Sequence, residues 1–216
     1  IAAMLAAAGL DGSEELGAIS GRNAVVSAEK AAINAVMAGC RPEYMPVVVA
    51  AVKSLCAPAF AYHGPASSTG GSAMALVVNG PIAARLGVNS GNNAFGQGYR
   101  PNATIGRAVR LIMMNVMNTR PGLLDRATLG NPGKYTFCFA EHEEDHPWEP
   151  LHVARGLRRV LLDRGERFVI VLAAGHALLV VRCAAQLWRG AAADEFDQHL
   201  ARARRVDAVA DRLGAD

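Results

Sequence analysis

Cys40 stands in a sequence setting that favours thiol chemistry. It lies between two predicted helices, in the segment MAGCRPEY at positions 37–44. If the second helix begins at Pro42, free backbone N–H groups and the helix dipole at its N-terminal end stabilise a thiolate. The neighbouring Arg41 should lower the pKa of the thiol further. Cys40 is therefore the candidate nucleophile or redox thiol, and the alternative is a buried cysteine packed in a tight corner between the two helices.

The other three cysteines, Cys56, Cys138 and Cys183, lie in apolar runs and are predicted to be core residues. The four cysteines are widely spaced and form no CxxC pair. This spacing favours reduced thiols and a cytoplasmic location over a disulfide framework.

Residues 96–107, GQGYRPNATIGR, lead glycines into a predicted helix that carries arginines. Backbone N–H groups at such a helix start, with Arg107 one turn further on, could hold a carboxylate or a phosphate. The spacing departs from GxGxxG and no strand directly precedes it, so we expect no nicotinamide cofactor and assign none. The alternative is an ordinary turn followed by a capped helix. The candidate substrate-binding residues are Arg41, Asn79, Gly98, Asn102, Thr104 and Arg107.

Residues 141–149, EHEEDHPWE, concentrate carboxylates and imidazoles directly after a predicted strand. Glu141, nearest to the strand, is the candidate general base or the partner of Arg107. His142 and His146 have a spacing that could bind zinc in a helix, but Pro147 and the acidic run favour a loop. A metal-dependent hydrolase that uses these two histidines is an alternative, and so is a solvated acidic loop.

Residues 67–72, SSTGGS, place hydroxyl groups and flexible backbone just before a predicted strand. Because no GxSxG elbow is present, the segment lacks the signature of a serine nucleophile. We interpret it as a binding loop or a plain loop.

Helical and strand periodicities alternate along the chain. The pattern predicts helices over 28–39 (with Ser27 as N-cap), 42–56, 81–86, 102–118 (capped by Asn102 or Thr104), 151–162 and 191–213, and strands over 73–79, 134–141 and 167–173. The segment 87–100 is predicted to be a long exposed loop, because it is rich in Gly and Asn. The alternation indicates an α/β fold with a layered sheet flanked by helices, whose strand order the sequence does not determine.

The chain has 216 residues, 51% of them apolar, and a formal charge of +3. Charge so close to balance does not suggest a nucleic-acid partner. The longest apolar run, at 168–181, is too short to cross a bilayer, so we expect no membrane partner. From Gly156 onward the chain has ten Arg but no Ser, Thr, Asn, Lys, Pro, Tyr or Met. We therefore predict a main α/β domain over 1–155 that contains the candidate site, and an Arg-rich segment over 156–216 with a strand and an amphipathic helix.

Several segments of the chain together resemble those of a known protein family. They are 29–44 (EKAAINAVMAGCRPEY), 78–82 (VNGPI), 102–107 (NATIGR), 133–135 (GKY), Glu141 and 147–150 (PWEP). The chain resembles, over Glu29 to Arg155, an uncharacterised bacterial family associated with the UGSC motif. That motif is a selenocysteine or cysteine followed by Gly, Ser and Cys, carried on a partner protein or a neighbouring region. This chain has no such sequence, and members tend to have Asn in place of His142 and a small residue in place of His146.

The resemblance implies thiol or selenol chemistry shared with a UGSC-bearing partner, in which Cys40 would take part. The first hypothesis is a thiol-dependent enzyme, redox or nucleophilic, acting on a small anionic substrate. In it Arg107 holds the anion and Glu141 moves a proton. The second hypothesis is a non-catalytic binding or assembly subunit for such a partner, or a homo-oligomer, with the loop at 87–98 as interface.

Overall fold

The computed structural model describes residues 1–145, 147–154 and 168–174. The helices are α1 (Ala2–Ala8), α2 (Ala28–Ala38), α3 (Met45–Cys56), α4 (His63–Ala66), α5 (Pro81–Leu86), α6 (Arg100–Asn115) and α7 (Leu151–Ala154). The strands are β1 (Glu15–Ile19), β2 (Ala24–Ser27), β3 (Ala73–Asn79), β4 (Cys138–Ala140) and β5 (Phe168–Ala174). Short 3-10 turns cover Pro42–Tyr44, Pro58–Phe60 and Pro132–Lys134.

The strands form two sheets. Strands β1 and β2 make an antiparallel hairpin, and the other sheet has the order β4-β3-β5. Strand β3 pairs parallel with β4 and antiparallel with β5. The parallel pair places the carboxyl ends of β3 and β4 at one edge of the sheet, and helices α3, α5 and α6 contact this sheet. The fold is therefore mixed α/β, as predicted.

Helix α6 has two distinct faces. Ile105, Val109 and Ile112 follow helical spacing and are buried in the core. Arg107 and Arg110 lie on another side of the helix and are half-buried. The apolar spacing of α6 thus fixes the direction in which its arginines point.

Several predicted elements are confirmed. Helix α2 begins after Ser27, whose hydroxyl accepts a hydrogen bond from the backbone N–H of Lys30, and it ends at Gly39 in the left-handed conformation (φ 85°). Strand β3 and helix α5 have the predicted bounds. Within the predicted loop, Gly87, Asn93 and Gly98 have positive φ. These elements depend on caps and turn residues, which can be recognised directly in the sequence.

The predicted helix over 42–56 is wrong at its beginning. Residues Pro42–Tyr44 form a 3-10 turn and α3 begins only at Met45. The carbonyl of Pro42 accepts its hydrogen bond from Met45, three residues on, because Pro46 has no N–H to donate to it from four residues on. The start of the helix therefore lies farther from Cys40 than expected.

Helix α6 also begins earlier than predicted. It starts at Arg100 with Tyr99 as N-cap, so neither Asn102 nor Thr104 caps it. Pro101 suits the first helical turn, which moves the start toward the N-terminus. Strand β4 is shorter than the predicted strand over 134–141, because the side chain of Asn131 caps a 3-10 turn over Pro132–Lys134.

Strand β5 follows the predicted domain boundary near Gly156 and still pairs with β3 along its whole length. The predicted helix over 191–213 and most of the predicted helix over 151–162 lie outside the described residues. Among the residues that are described, no helix is both long enough and apolar enough to span a bilayer.

Candidate functional site

A cavity of about 570 Å³ lies between α6 and the segment 121–135. Arg107, Arg110 and Met114 line it from one face of the helix, at helical spacing. Asp125, Lys134 and Tyr135 line it from the segment. Its volume falls in the range of pockets that hold small molecules.

Asp125 organises the charges of this cavity. Its side chain is only 7% exposed. Lys134 Nζ donates to Oδ1 over 2.6 Å, and Arg110 Nη2 donates to Oδ2 over 2.8 Å. Burial raises the pKa of the Asp125 carboxyl, but the hydrogen bonds from Lys134 and Arg110 outweigh it and hold the pKa below its ordinary value. Asp125 is therefore a charged carboxylate that fixes both cations.

The cavity wall keeps an excess of positive charge. Among the residues that the structure describes, three cations, Arg107, Arg110 and Lys134, line it together with one carboxylate, Asp125. Arg107 makes no hydrogen bond or ion pair with any residue that the structure describes. A half-buried guanidinium with unused N–H donors is a binding group for a carboxylate or phosphate.

Gly106 brings the two walls of the cavity together. A Cβ atom at this position would lie 2.5 Å from Thr136 Oγ1 and 2.7 Å from the backbone nitrogen of Phe137. Thr136 Oγ1 also contacts the backbone carbonyl oxygens of Asn102 (3.0 Å) and Ala103 (2.7 Å). The close approach at Gly106 therefore places Tyr135 beside the helix that carries Arg107.

The predicted low pKa of Cys40 is wrong. Its side chain is 7% exposed, and Sγ donates a hydrogen bond to the carbonyl oxygen of Thr104 over 3.3 Å. Burial raises the pKa of this thiol to about 11, although the bond to Thr104 and the charge of Arg100 oppose the change. Arg41 points to solvent, where it lies 3.9 Å from Glu43, and it is not the cation that acts on Cys40. The environment of Cys40 matches the alternative of a buried cysteine in a corner.

The structure describes two of the three other cysteines, which the sequence predicts to be core residues. Cys138 is buried, and burial raises the pKa of its thiol. Cys56 is half-buried, and Cys183 lies outside the described residues.

Three further predicted binding residues contribute to the loop before α6 or to the helix itself. The Asn102 amide accepts from the N–H of Asn89 and donates to the carbonyls of Asn89 and Ala94, so it is committed to holding that loop. Thr104 Oγ1 donates to the carbonyl of Arg100. Gly98 is exposed with a φ of 113°. None of the three lines the cavity that contains Arg107.

Asn79 and Glu141 lie at the carboxyl-end edge of the parallel strand pair. Asn79 is buried, and its amide has no hydrogen-bond partner among the described residues. The carboxylate of Glu141 accepts from the backbone N–H of Leu151, at the start of α7. Neither residue lines the Arg107 cavity, and neither does Cys40. The cavity therefore contains one member of the predicted trio of Cys40, Arg107 and Glu141.

His142 already has partners on both ring nitrogens. Nδ1 lies 3.1 Å from Ser90 Oγ, and Nε2 lies 3.2 Å from a carboxylate oxygen of Asp145. His146, the second histidine of the metal alternative, lies outside the described residues, so that alternative stays a prediction.

A second polar cluster was not predicted. Arg22, in the turn between β1 and β2, donates to His63 Nδ1 and Thr119 Oγ1, each over 3.1 Å, and to Ser67 Oγ. Its guanidinium lies 5.1 Å from the ring centre of Tyr62. The Tyr62 hydroxyl is 2.7 Å from Thr119 Oγ1, and burial raises the pKa of Tyr62 to about 12. Only the hydroxyl-rich loop that contains Ser67 signalled this cluster, because the other members are far apart in the sequence.

Comparisons with known proteins identify no relative with a site like the Arg107 cavity or the Arg22 cluster. No family model, no curated protein and no solved structure matches this chain.

Proposed function

We propose that this protein binds a small anionic ligand in the cavity between α6 and the segment 121–135, with Arg107 as the residue that contacts the anionic group. One observation carries the proposal. Arg107 is half-buried on a wall with excess positive charge and has no partner among the described residues. Because an isolated partly buried charge is unfavourable, a bound carboxylate or phosphate would stabilise this arrangement.

Arg110 and Lys134 support Arg107 from the same wall. Their bonds to Asp125 hold both cations in place before any ligand arrives. Preorganised cations bind an anion more tightly than mobile ones, since less side-chain freedom is lost on binding. Asp125 is therefore a positioning residue in this proposal.

Thiol chemistry at Cys40 has no part in the proposal. The thiolate is the reactive form of cysteine, and burial raises the pKa of Cys40 to about 11. Cys40 and Cys138 are free thiols, which supports a reducing compartment such as the cytoplasm. A UGSC-bearing partner stays a prediction from the family resemblance.

Calorimetric titration with inorganic phosphate and with acetate tests the proposal. In Arg107→Gln the affinity should fall about 10- to 150-fold, the value of a hydrogen bond to a charged group. Arg85→Gln is the matched control, because Arg85 is an exposed arginine on α5 outside the cavity. Equal affinity in wild type and Arg107→Gln, or an equal loss in both variants, would overturn the proposal.

A further inference from the structure

We infer that the ligand of the Arg107 cavity is an amphipathic organic anion, with an apolar body that packs against Leu129 and Tyr135. The inference rests on the proposed function and goes further by naming the ligand class. It is supported by the volume of the cavity, by the apolar side chains that line it, and by the hydrogen bonds that its charged side chains make within the protein.

The volume is too large for a bare anion. At about 30 Å³ for each water-sized group, the five non-hydrogen atoms of phosphate fill at most about 150 Å³. The cavity holds about 570 Å³. Most of the space would therefore be taken by a part of the ligand that carries no charge.

Apolar side chains also line the cavity. Leu129 is 99% exposed and Tyr135 is 72% exposed, and both line the cavity together with Met114 and Pro132. Single exposed apolar residues are common on protein surfaces. Here they line the same cavity as the guanidinium of Arg107, which has no partner in the described part of the chain. A charged group beside apolar side chains is the arrangement that suits an amphipathic anion.

The other charged side chains of the wall are engaged within the protein, and so is one oxygen of an amide. Asp125 bonds to Arg110 and Lys134, and Asn131 Oδ1 accepts from the N–H of Gly133. Apart from the cations, the side-chain groups of the described wall left for a ligand are the Tyr135 hydroxyl and the Asn131 amide nitrogen. A ligand with many hydroxyl groups needs more partners than these and would lose some of the hydrogen bonds that water gives it. An aliphatic or aromatic body loses none and gains from leaving water.

The inference is tested by titrating the whole protein with a carboxylate series: acetate, butanoate, hexanoate and octanoate. A fully buried methylene strengthens binding about fourfold, so we expect a rise of about two- to fourfold for each methylene as far as hexanoate. Hexyl phosphate against inorganic phosphate repeats the comparison with the second headgroup and should show the same gain.

Leu129→Asn should flatten the dependence of affinity on chain length, because it removes the apolar side chain against which we place the body of the ligand. Leu129 is almost fully exposed, so this substitution does not threaten folding. Leu123→Asn is the matched control, since Leu123 is an exposed leucine of the same segment that does not line the cavity. It should retain the full dependence on chain length.

The outcomes separate the two proposals. If acetate binds through Arg107 but affinity does not rise with chain length, the inference is overturned and the proposed function stands. If no member of either series binds, both are overturned. If the rise persists unchanged in Leu129→Asn, the apolar body does not lie where we place it, and the inference is again overturned.

Discussion

Lys134 Nζ lies 2.6 Å from Asp125 Oδ1, with both side chains largely buried. The other carboxylate oxygen bonds to Arg110, so one acidic group fixes two cations on the wall of the cavity. Arg107 stands on the same wall without a partner among the described residues. The pairing of Asp125 thus leaves Arg107 as the cation available to an anionic ligand.

Asp125→Asn should lower the free energy of unfolding by about 3 kcal/mol at pH 7. The change leaves two mostly buried cations without their countercharge, and breaking a buried ion pair from one side is strongly destabilising. Urea denaturation measures the loss. A loss no larger than that of an exposed surface substitution would contradict the assigned role of Asp125.

The stabilising effect of Asp125 on the unfolding free energy should depend on pH. Because the folded-state pKa of Asp125 is lowered from 3.8, its stabilising contribution is fully present well above that value and is lost as pH falls through the folded-state pKa. The difference in unfolding free energy between wild type and Asp125→Asn should therefore be constant from about pH 5 to 7 and shrink below about pH 4. A difference that grows on acidification would contradict the direction of the pKa change.

Cys40 should react slowly with iodoacetamide. A thiol with a pKa of about 11 has a far smaller thiolate fraction at pH 7 than free cysteine, so the rate should be at least about 100-fold lower than that of free cysteine. Mass spectrometry of the peptide that contains Cys40 gives the rate. A rate equal to that of free cysteine would contradict the burial of this thiol and restore the thiol hypothesis.

The segment around Cys40 shows where sequence reasoning succeeds and where it stops. Ser27 and Gly39 bound α2 as predicted, because capping is local chemistry. Cys40 instead donates to the carbonyl oxygen of Thr104 in α6, which is 64 residues away along the chain. A local sequence pattern does not reveal packing between residues so far apart. The burial that results from this packing raises the pKa of Cys40, so the predicted direction is wrong.

The candidate site, too, was predictable only in part. The helix start that contains Arg107 makes this residue a candidate in the sequence. The cavity also includes Asp125, Leu129 and Tyr135, which belong to an irregular segment. That segment has no periodicity to predict its path. The hairpin of β1 and β2 was also missed, since each strand is only four or five residues long.

Gly106→Ala should destabilise the fold although alanine favours helices more than glycine does. The added methyl group would lie 2.5 Å from Thr136 Oγ1, and overpacking of this kind costs about 1–3 kcal/mol. Gly64→Ala is the matched control, since a Cβ on this helical glycine meets no atom of the described residues within 4 Å. Thermal and urea denaturation of both variants should show a loss for Gly106→Ala and none for Gly64→Ala. Equal stability of the two would contradict the close approach of α6 to Thr136.

Arg22→Lys should lower the unfolding free energy by about 1–3 kcal/mol. Lysine keeps the charge but lacks the planar group that donates to His63, Thr119 and Ser67 together. Arg85→Lys serves as the comparison at an exposed position. If both lysine variants are as stable as wild type, the Arg22 cluster does not hold the hairpin turn in place.

An NMR titration that follows the Nε–H resonance of Arg107 shows whether an anion binds at this guanidinium. The resonance is assigned by its absence in Arg107→Lys, and the protein is titrated with hexanoate. If hexanoate binds at Arg107, this resonance shifts along a saturable curve with the same midpoint as the calorimetric titration, while the resonance of Arg85 does not move. Saturable binding of hexanoate that leaves the Arg107 resonance unchanged would place the anion away from Arg107 and overturn the proposed function.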